Sequence, residues 1–271
     1  MILAAPRQRG FALLLVLWTM VLLALLGSRI AASGRAQAQI AANVRDQAVT
    51  EAAADGAVQE AAFHLLDAPA RRWAADAVPR RLVLPDAAVE VRVESESGKV
   101  NPNLASAPLL AALLREVGAD SRTAGLVADG ILRWRFPWVP QGGNDPTLTA
   151  YRAAGLDYGP PGAPFQSLDE VGVVLGMTPE LLAKTRPYLS LYAGNAPDPS
   201  SAGRVVLAAM RSILGGGTPN AGGNAGSKVV GVTAVAAGPN GTRFTRHAIL
   251  GLGGQRGGSP VQVLAWDRAP A

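Results

Sequence analysis

Cysteine is absent from all 271 residues, which excludes a disulfide scaffold, a cysteine-ligated zinc ribbon and a cysteine nucleophile together. Histidine occurs only twice, at positions 64 and 247, too sparsely for a histidine-rich metal site. Charge is scarce as well. Charged residues make up 17% of the chain against 49% hydrophobic, and that much apolar surface excludes a disordered acidic tail protein. The net charge of +5, from 25 Lys and Arg against 20 Asp and Glu, is too thin to mark a nucleic-acid binder. Catalytic signatures are missing too. There is no G-x-S-x-G elbow, and Gly226-Ser227-Lys228 has the residues of a phosphate loop in the wrong order before a strand. The glycines at 251, 253 and 254 are followed by Arg256 and no helix, so they fail the dinucleotide pattern. No enzyme is expected. The 31 Gly and 20 Pro predict long irregular connections, and the length suits about two folding units.

One stretch lacks charge altogether. From Gly10 to Ser28 nineteen residues carry none, with Arg7 and Arg9 before and Arg29 after. The run FALLLVLWTMVLLALLGS, residues 11–28, is long enough to cross a bilayer, which takes about 20 apolar residues. A secretory signal peptide would have a shorter apolar core and an A-x-A-like site, and Ala31-Ala32-Ser33 is a poor one. The basic residues precede the span, so the positive-inside rule keeps residues 1–9 in the cytoplasm and the rest outside. Beyond the span, Ile40, Val44, Ala48, then Val58, Ala62 and Leu65 recur at helical spacing. The pattern predicts an amphipathic helix over 11–67, interrupted at Gly34 and Gly56, with His64 an ordinary residue of it.

The junction Arg9-Gly10-Phe11-Ala12-Leu13-Leu14 resembles the processing site of type IV prepilins and pseudopilins: a basic leader ending in Gly, then Phe, then an unbroken apolar helix. The resemblance implies a leader at 1–10, cleavage by a prepilin peptidase between Gly10 and Phe11, and N-methylation of Phe11. Most members carry Glu at the fifth mature position, where it neutralises the terminal amine of the neighbour above. That position here is Leu15. A bare carboxylate at mid-bilayer costs about 2.5–3.5 kcal/mol, so it persists only with a partner. A subunit with nothing above it has no amine to meet, and Leu15 therefore points to a fibre tip.

Further along, Val89, Val91 and Val93 alternate with Glu90, Arg92 and Glu94, the signature of a half-buried strand, and Pro85-Asp86 turns into it from a short strand near Leu82–Leu84. Val229–Ala236 and Arg243–Leu250 flank Gly238-Pro239-Asn240-Gly241, a hairpin signal, and a last strand covers Pro260–Trp266. A helical block separates these two sheet regions. Ser106 caps a helix running to Glu116, and Asp120 caps a second with Leu126, Val127, Ile131 and Trp134 on one side. Residues 137–164 look irregular. Ser167 and Glu170 form a capping box for Leu168–Leu175, and Thr178 starts a helix with Pro179 at its first position. A helix near Val205–Leu214 precedes the linker-like tract GGGTPNAGGNAGS.

In this order, the prepilin junction without Glu, the strand leading into ESGKVNPNLA, the segment FQSLDEVGVVLGMTPELLAKTRPYLSLY and the closing strands resemble the type II secretion minor pseudopilin K family. The resemblance covers nearly the whole chain. It implies an α+β fold, a pilin-like long N-terminal transmembrane helix on a small antiparallel sheet, with a large α-helical domain of helix-hairpin-helix or SAM-like type inserted in the sheet connection. The expected divisions are a leader at 1–10, a membrane span at 11–28, a periplasmic helix at 29–67, sheet at 68–100 and 227–271, the insertion at 101–200 and a helix with linker at 201–226. The implied role is a non-catalytic tip subunit that initiates assembly and caps the pseudopilus for export across the outer membrane. Implied partners are the minor pseudopilins I and J, the prepilin peptidase and other inner-membrane components of the system. The implied place is the Gram-negative inner membrane, single-pass, with the bulk of the chain in the periplasm. Some members bind calcium in the insertion. Calcium needs several hard carboxylate oxygens, and residues 130–165 offer only Asp145 and Asp157, so no ligand set is identified and no other cofactor is expected. Where members carry an acidic G-A-E-D-x-Y-Y-like segment, this chain reads RWRFPWVPQGGNDPTLTAYR.

Two other readings stay open: a type IV pilus minor tip pilin, and a periplasmic DNA receptor using the hairpin at 176–180. DNA-binding hairpins of that kind place a second Gly where Thr178 stands and basic residues where this chain has Asp169 and Glu180. A packing module is the plainer reading, and no nucleic acid is expected.

Overall fold

A computed structural model describes residues 9–136, 146–215, 228–253 and 259–268. One helix, α1, runs from Arg9 to Leu66, 58 residues or about 87 Å at 1.5 Å per residue. The expected interruptions do not occur. Gly34 and Gly56 sit inside the helix, because a lone Gly costs only about 1 kcal/mol against Ala and the flanking stretch is rich in Ala. Nor does the apolar stripe act as one surface. Ile40 and Val44 are exposed, whereas Val58, Ala62 and Leu65 are buried, because packing against the rest of the chain begins only near Asp46.

Five antiparallel strands form one sheet in chain order: β1 Arg80–Leu84, β2 Ala87–Ser95, β3 Lys228–Ala237, β4 Arg243–Leu252 and β5 Val261–Arg268. Its inner face is set by alternation: Val89, Val91 and Val93 stand opposite Ala236, Ala234 and Val232. These residues close on Ala54, Ala57, Val58, Ala61 and Leu65 of α1. Such small side chains let helix and sheet approach closely, and a one-residue slip of register would turn the valines outward.

Between β2 and β3 stands a second core. It is built from α2 Ala107–Glu116, α3 Ser121–Arg135, α4 Pro146–Ala153, a 3₁₀ turn at Leu168–Val173, α5 Pro179–Thr185 and α6 Arg204–Ile213. Leu110, Leu113, Val127, Ile131, Trp134, Tyr151 and Phe165 fill it. Four expectations change here. Ser106 precedes α2 without a side-chain capping bond. Leu126 is exposed, unlike its neighbours Val127 and Ile131. Within the stretch expected to be irregular, residues 146–153 form α4, because Tyr151 buries its ring and its hydroxyl accepts the Leu175 N–H at 3.0 Å. Finally, Val206, Ala209 and Met210 of α6 share this core, which therefore extends past the expected boundary at residue 200. The glycine-rich tract at 216–227 lies outside the described residues.

Candidate functional site

The two ends of the sheet are not equivalent. At one end the β3–β4 turn docks on the lower part of α1: Asn240 Nδ2 donates to Asp46 Oδ2 at 2.6 Å, and the Thr50 and Thr242 hydroxyls bond at 2.6 Å. Gly238 is required there, since any Cβ would run into the Thr50 side chain. At the other end Leu65, Leu66, Val230 and Leu252 line a common cleft, and the Trp73 N–H donates to the last turn of α1 at His64. The apolar half of α1, Phe11–Leu26, projects beyond the first end with its side chains exposed. The insertion leaves from Ser95 and returns at Lys228, both at the second end.

Midway between the ends a polar clamp fixes α1 against the sheet. Arg246 of β4 reaches α1, with Nε bonding Asp55 Oδ1 at 2.6 Å and Nη2 bonding Glu51 Oε1 at 2.8 Å. The hydrogen bond that Arg246 donates to Asp55 holds the guanidinium above its ordinary pKa, against the pull of burial. Phe244 and Trp266 lie against the same guanidinium, 4.8 and 5.4 Å from its carbon. Composition and spacing carried no sign of this clamp, because its members are nearly 200 residues apart.

The segment Glu96–Asn103 is the joint that mounts the insertion. Glu96 is buried and pairs with Lys99 at 2.7 Å, and Lys99 also reaches Glu94 at 3.5 Å. A Cβ on Gly98 would collide with the Ser201 carbonyl, so only glycine lets the outgoing and returning chains cross here. Val100 N donates to Tyr188 O at 2.8 Å and Ser190 N to Val100 O at 3.0 Å. The two asparagines then act as cross-links. Asn101 Nδ2 donates to the Leu191 and Ala193 carbonyls at 3.0 and 2.7 Å, and Asn103 exchanges two bonds with the Phe165 backbone at 2.8 and 2.9 Å. Thus S-G-K-V-N-P-N, visible in the sequence as a motif, is a mechanical junction in the fold.

The hairpin at 176–180 is built into the core. Ser167 accepts from Asp169 N and donates its own N–H to Glu170, so the expected capping box is present, although the turn it caps is a short 3₁₀ helix. Thr178 Oγ1 accepts the Leu181 N–H at 3.2 Å, as expected of a cap. Val171, Val174 and Leu181 are buried, and Arg186 is paired with Asp169. Gly10 and Phe11 lie in the first turn of α1; Phe11 and Leu15 are exposed. The chain has no carboxylate at all before Asp46. Among the described residues no group of three or more His, Asp or Glu could hold a metal, and Asp157 is exposed. Asp145 lies outside the described residues. Among the described residues, no set of carboxylates fits a calcium site.

Residues 80–194, from β1 through the joint and most of the insertion, match the family model for the type II secretion system (T2SS), protein K. That stretch, less than half of the chain, is what is similar to protein K of type II secretion systems. The fold is α+β, a long apolar N-terminal helix with a five-stranded antiparallel sheet and many helices. Among solved structures the chain resembles one from the GspK-GspI-GspJ complex of the enterotoxigenic Escherichia coli Type 2 Secretion System. The TM-score is 0.60 at 15% identity, over 83% of this chain and 96% of that one. At that identity the likeness is one of fold. No curated protein matches the chain. The one helix among the described residues long and apolar enough to cross a membrane is α1.

Proposed function

We propose that this chain is a non-catalytic minor pseudopilin that occupies the tip of a type II secretion pseudopilus, starts its assembly with minor pseudopilins of types I and J, and ends its growth. The observation that carries this reading is the polarity of the fold. The anchor projects from one end of the sheet, and a body of more than 100 residues is mounted at the other. A block of about 100 residues has a radius of gyration near 13 Å, hence a body about 30 Å across. Stacked pilin subunits are offset by far less than the length of α1, so that body fills the space of a subunit above. Leu15 supports the same place independently, since no carboxylate before Asp46 can meet a neighbour's terminal amine. The chain is cut between Gly10 and Phe11, methylated on Phe11, and held in the inner membrane with its bulk in the periplasm.

Partner contacts fall on the face of α1 that its own sheet leaves free. Ile40, Val44 and Phe63 remain exposed, whereas Val58, Ala62 and Leu65 are already taken. Fibre length is the test. With the major subunit held constant, overproducing the chain should give fewer or shorter pseudopili by electron microscopy, and deleting residues 101–213 should relieve that effect. Unchanged lengths in both cases would remove the cap reading. Amino-terminal sequencing of the mature protein should begin at Phe11, and Gly10→Val should leave the leader in place. A different start would remove the prepilin reading.

A further inference from the structure

One buried charge in the insertion has no counter-charge among the described residues. Arg135, at the end of α3, is 8% exposed. Its Nη1 donates to the Pro102 carbonyl at 2.8 Å and its Nη2 to the Ala105 carbonyl at 2.7 Å. The Phe136 ring lies 5.1 Å from its guanidinium carbon, and Nε has no acceptor among the described residues. None of the ion pairs among the described residues includes it. A buried charge without an anion is expensive, so something must hold it in place. Here the holders are the two carbonyls of the turn that follows Asn101 and the face of an aromatic ring.

Converging backbone carbonyls suit a hard cation, and a divalent ion also needs carboxylates to balance its charge. Among the described residues no cluster of carboxylates is gathered for that, and between residues 130 and 165 the sequence has Asp145 and Asp157 alone. We propose that Arg135 is the internal cation of the insertion, doing with a covalently tethered guanidinium the cross-linking that a bound divalent ion would do, so that the insertion folds independently of divalent metal. The planar fork suits the task, because its two terminal nitrogens reach carbonyls three residues apart in one turn. Burial pulls the guanidinium below its ordinary pKa, but arginine starts so high that it keeps its charge. Asn101 and Asn103 complete the network. The same turn is thereby tied to Phe165, to Leu191 and Ala193, and to α3 by side chains alone.

The test uses the full-length protein in detergent, followed by scanning calorimetry and by limited proteolysis of the insertion. In wild type, millimolar calcium chloride and EGTA should give the same melting midpoint, and calcium titration should show no binding heat. Arg135→Met keeps the stem and removes the charge. It should lower the insertion's midpoint by roughly 5 °C or more, and calcium should not restore it. Arg135→Lys keeps the charge without the fork and should fall between the two. A rise in the wild-type midpoint on adding calcium, or a fall with EGTA, would overturn the proposal. An unchanged midpoint in Arg135→Met would do the same. If Arg135→Met does not fold, the wild-type comparison of calcium with EGTA still decides the question.

Discussion

The helix–sheet unit and the insertion solve the problem of packing in opposite ways. The first closes over alanines and valines, Ala54, Ala57 and Val58 against Val89, Val91 and Val232, and binds its long helix with the polar clamp at Arg246. The second fills a core with Leu110, Leu113, Ile131, Trp134 and Tyr151 from short helices that are near one another in sequence. The difference teaches what each is for. A helix that must remain free along about half its length can spare only one narrow face, and small residues make that face fit closely. A body mounted on a stalk needs a core of its own, and large side chains supply more buried apolar area per residue.

If the comparison is sound, the two regions can be broken separately. Leu113→Ala, at a fully buried site, should cost about 3 kcal/mol and lower the insertion's calorimetric transition while that of the helix–sheet unit stays put. A single merged transition moving with this variant would show that the two cores are one. Arg246→Met should act on the other unit. It leaves Asp55 and Glu51 without their partner, but both carboxylates are partly wetted, so the loss should be about 2 kcal/mol, below that for a fully buried pair. Hydrogen exchange of α1 above Asp46 should speed up while α2 and α3 stay protected. Equal speeding in α2 would sink the separation.

Smaller effects sharpen the contrast. Ala57→Leu should destabilise the helix–sheet unit by about 1.5 kcal/mol through overpacking, although a larger apolar residue would be tolerated on the exposed side of α1. Chemical denaturation measures this, and a neutral Ala57→Leu would mean that the helix is not held close. Asp120→Ala removes the cap of α3, where Asp120 accepts from Arg122 N at 2.9 Å and Thr123 N at 3.0 Å, and should have the smallest destabilising effect of the four. Hydrogen bonds from the Thr123 hydroxyl and amide hold its carboxyl below the ordinary value. The cap therefore contributes fully above about pH 4 and fades as pH falls through the lowered native value. The gap between wild type and Asp120→Ala should close in acid; a gap that widens would contradict the assignment.

Signals confined to one stretch of chain carried most of the architecture. The uncharged run after Gly10 declared an anchor, alternating valines declared β2, Gly238-Pro239-Asn240-Gly241 declared the hairpin, and Asp120, Ser167 and Thr178 stood where caps were expected. Each depends on hydrogen bonds or periodicity within a few residues, so position in the sequence is enough to specify it. Tertiary structure decided the rest. α4 formed because Tyr151 found a site in a core assembled from other segments, and Ile40 parted from Leu65 because the sheet reaches only the upper half of α1. Arg246 and Arg135 look like any other arginines in the sequence. Their roles arise from partners at Asp55 and Pro102, and only the folded chain brings a guanidinium within 3 Å of groups so far away along it.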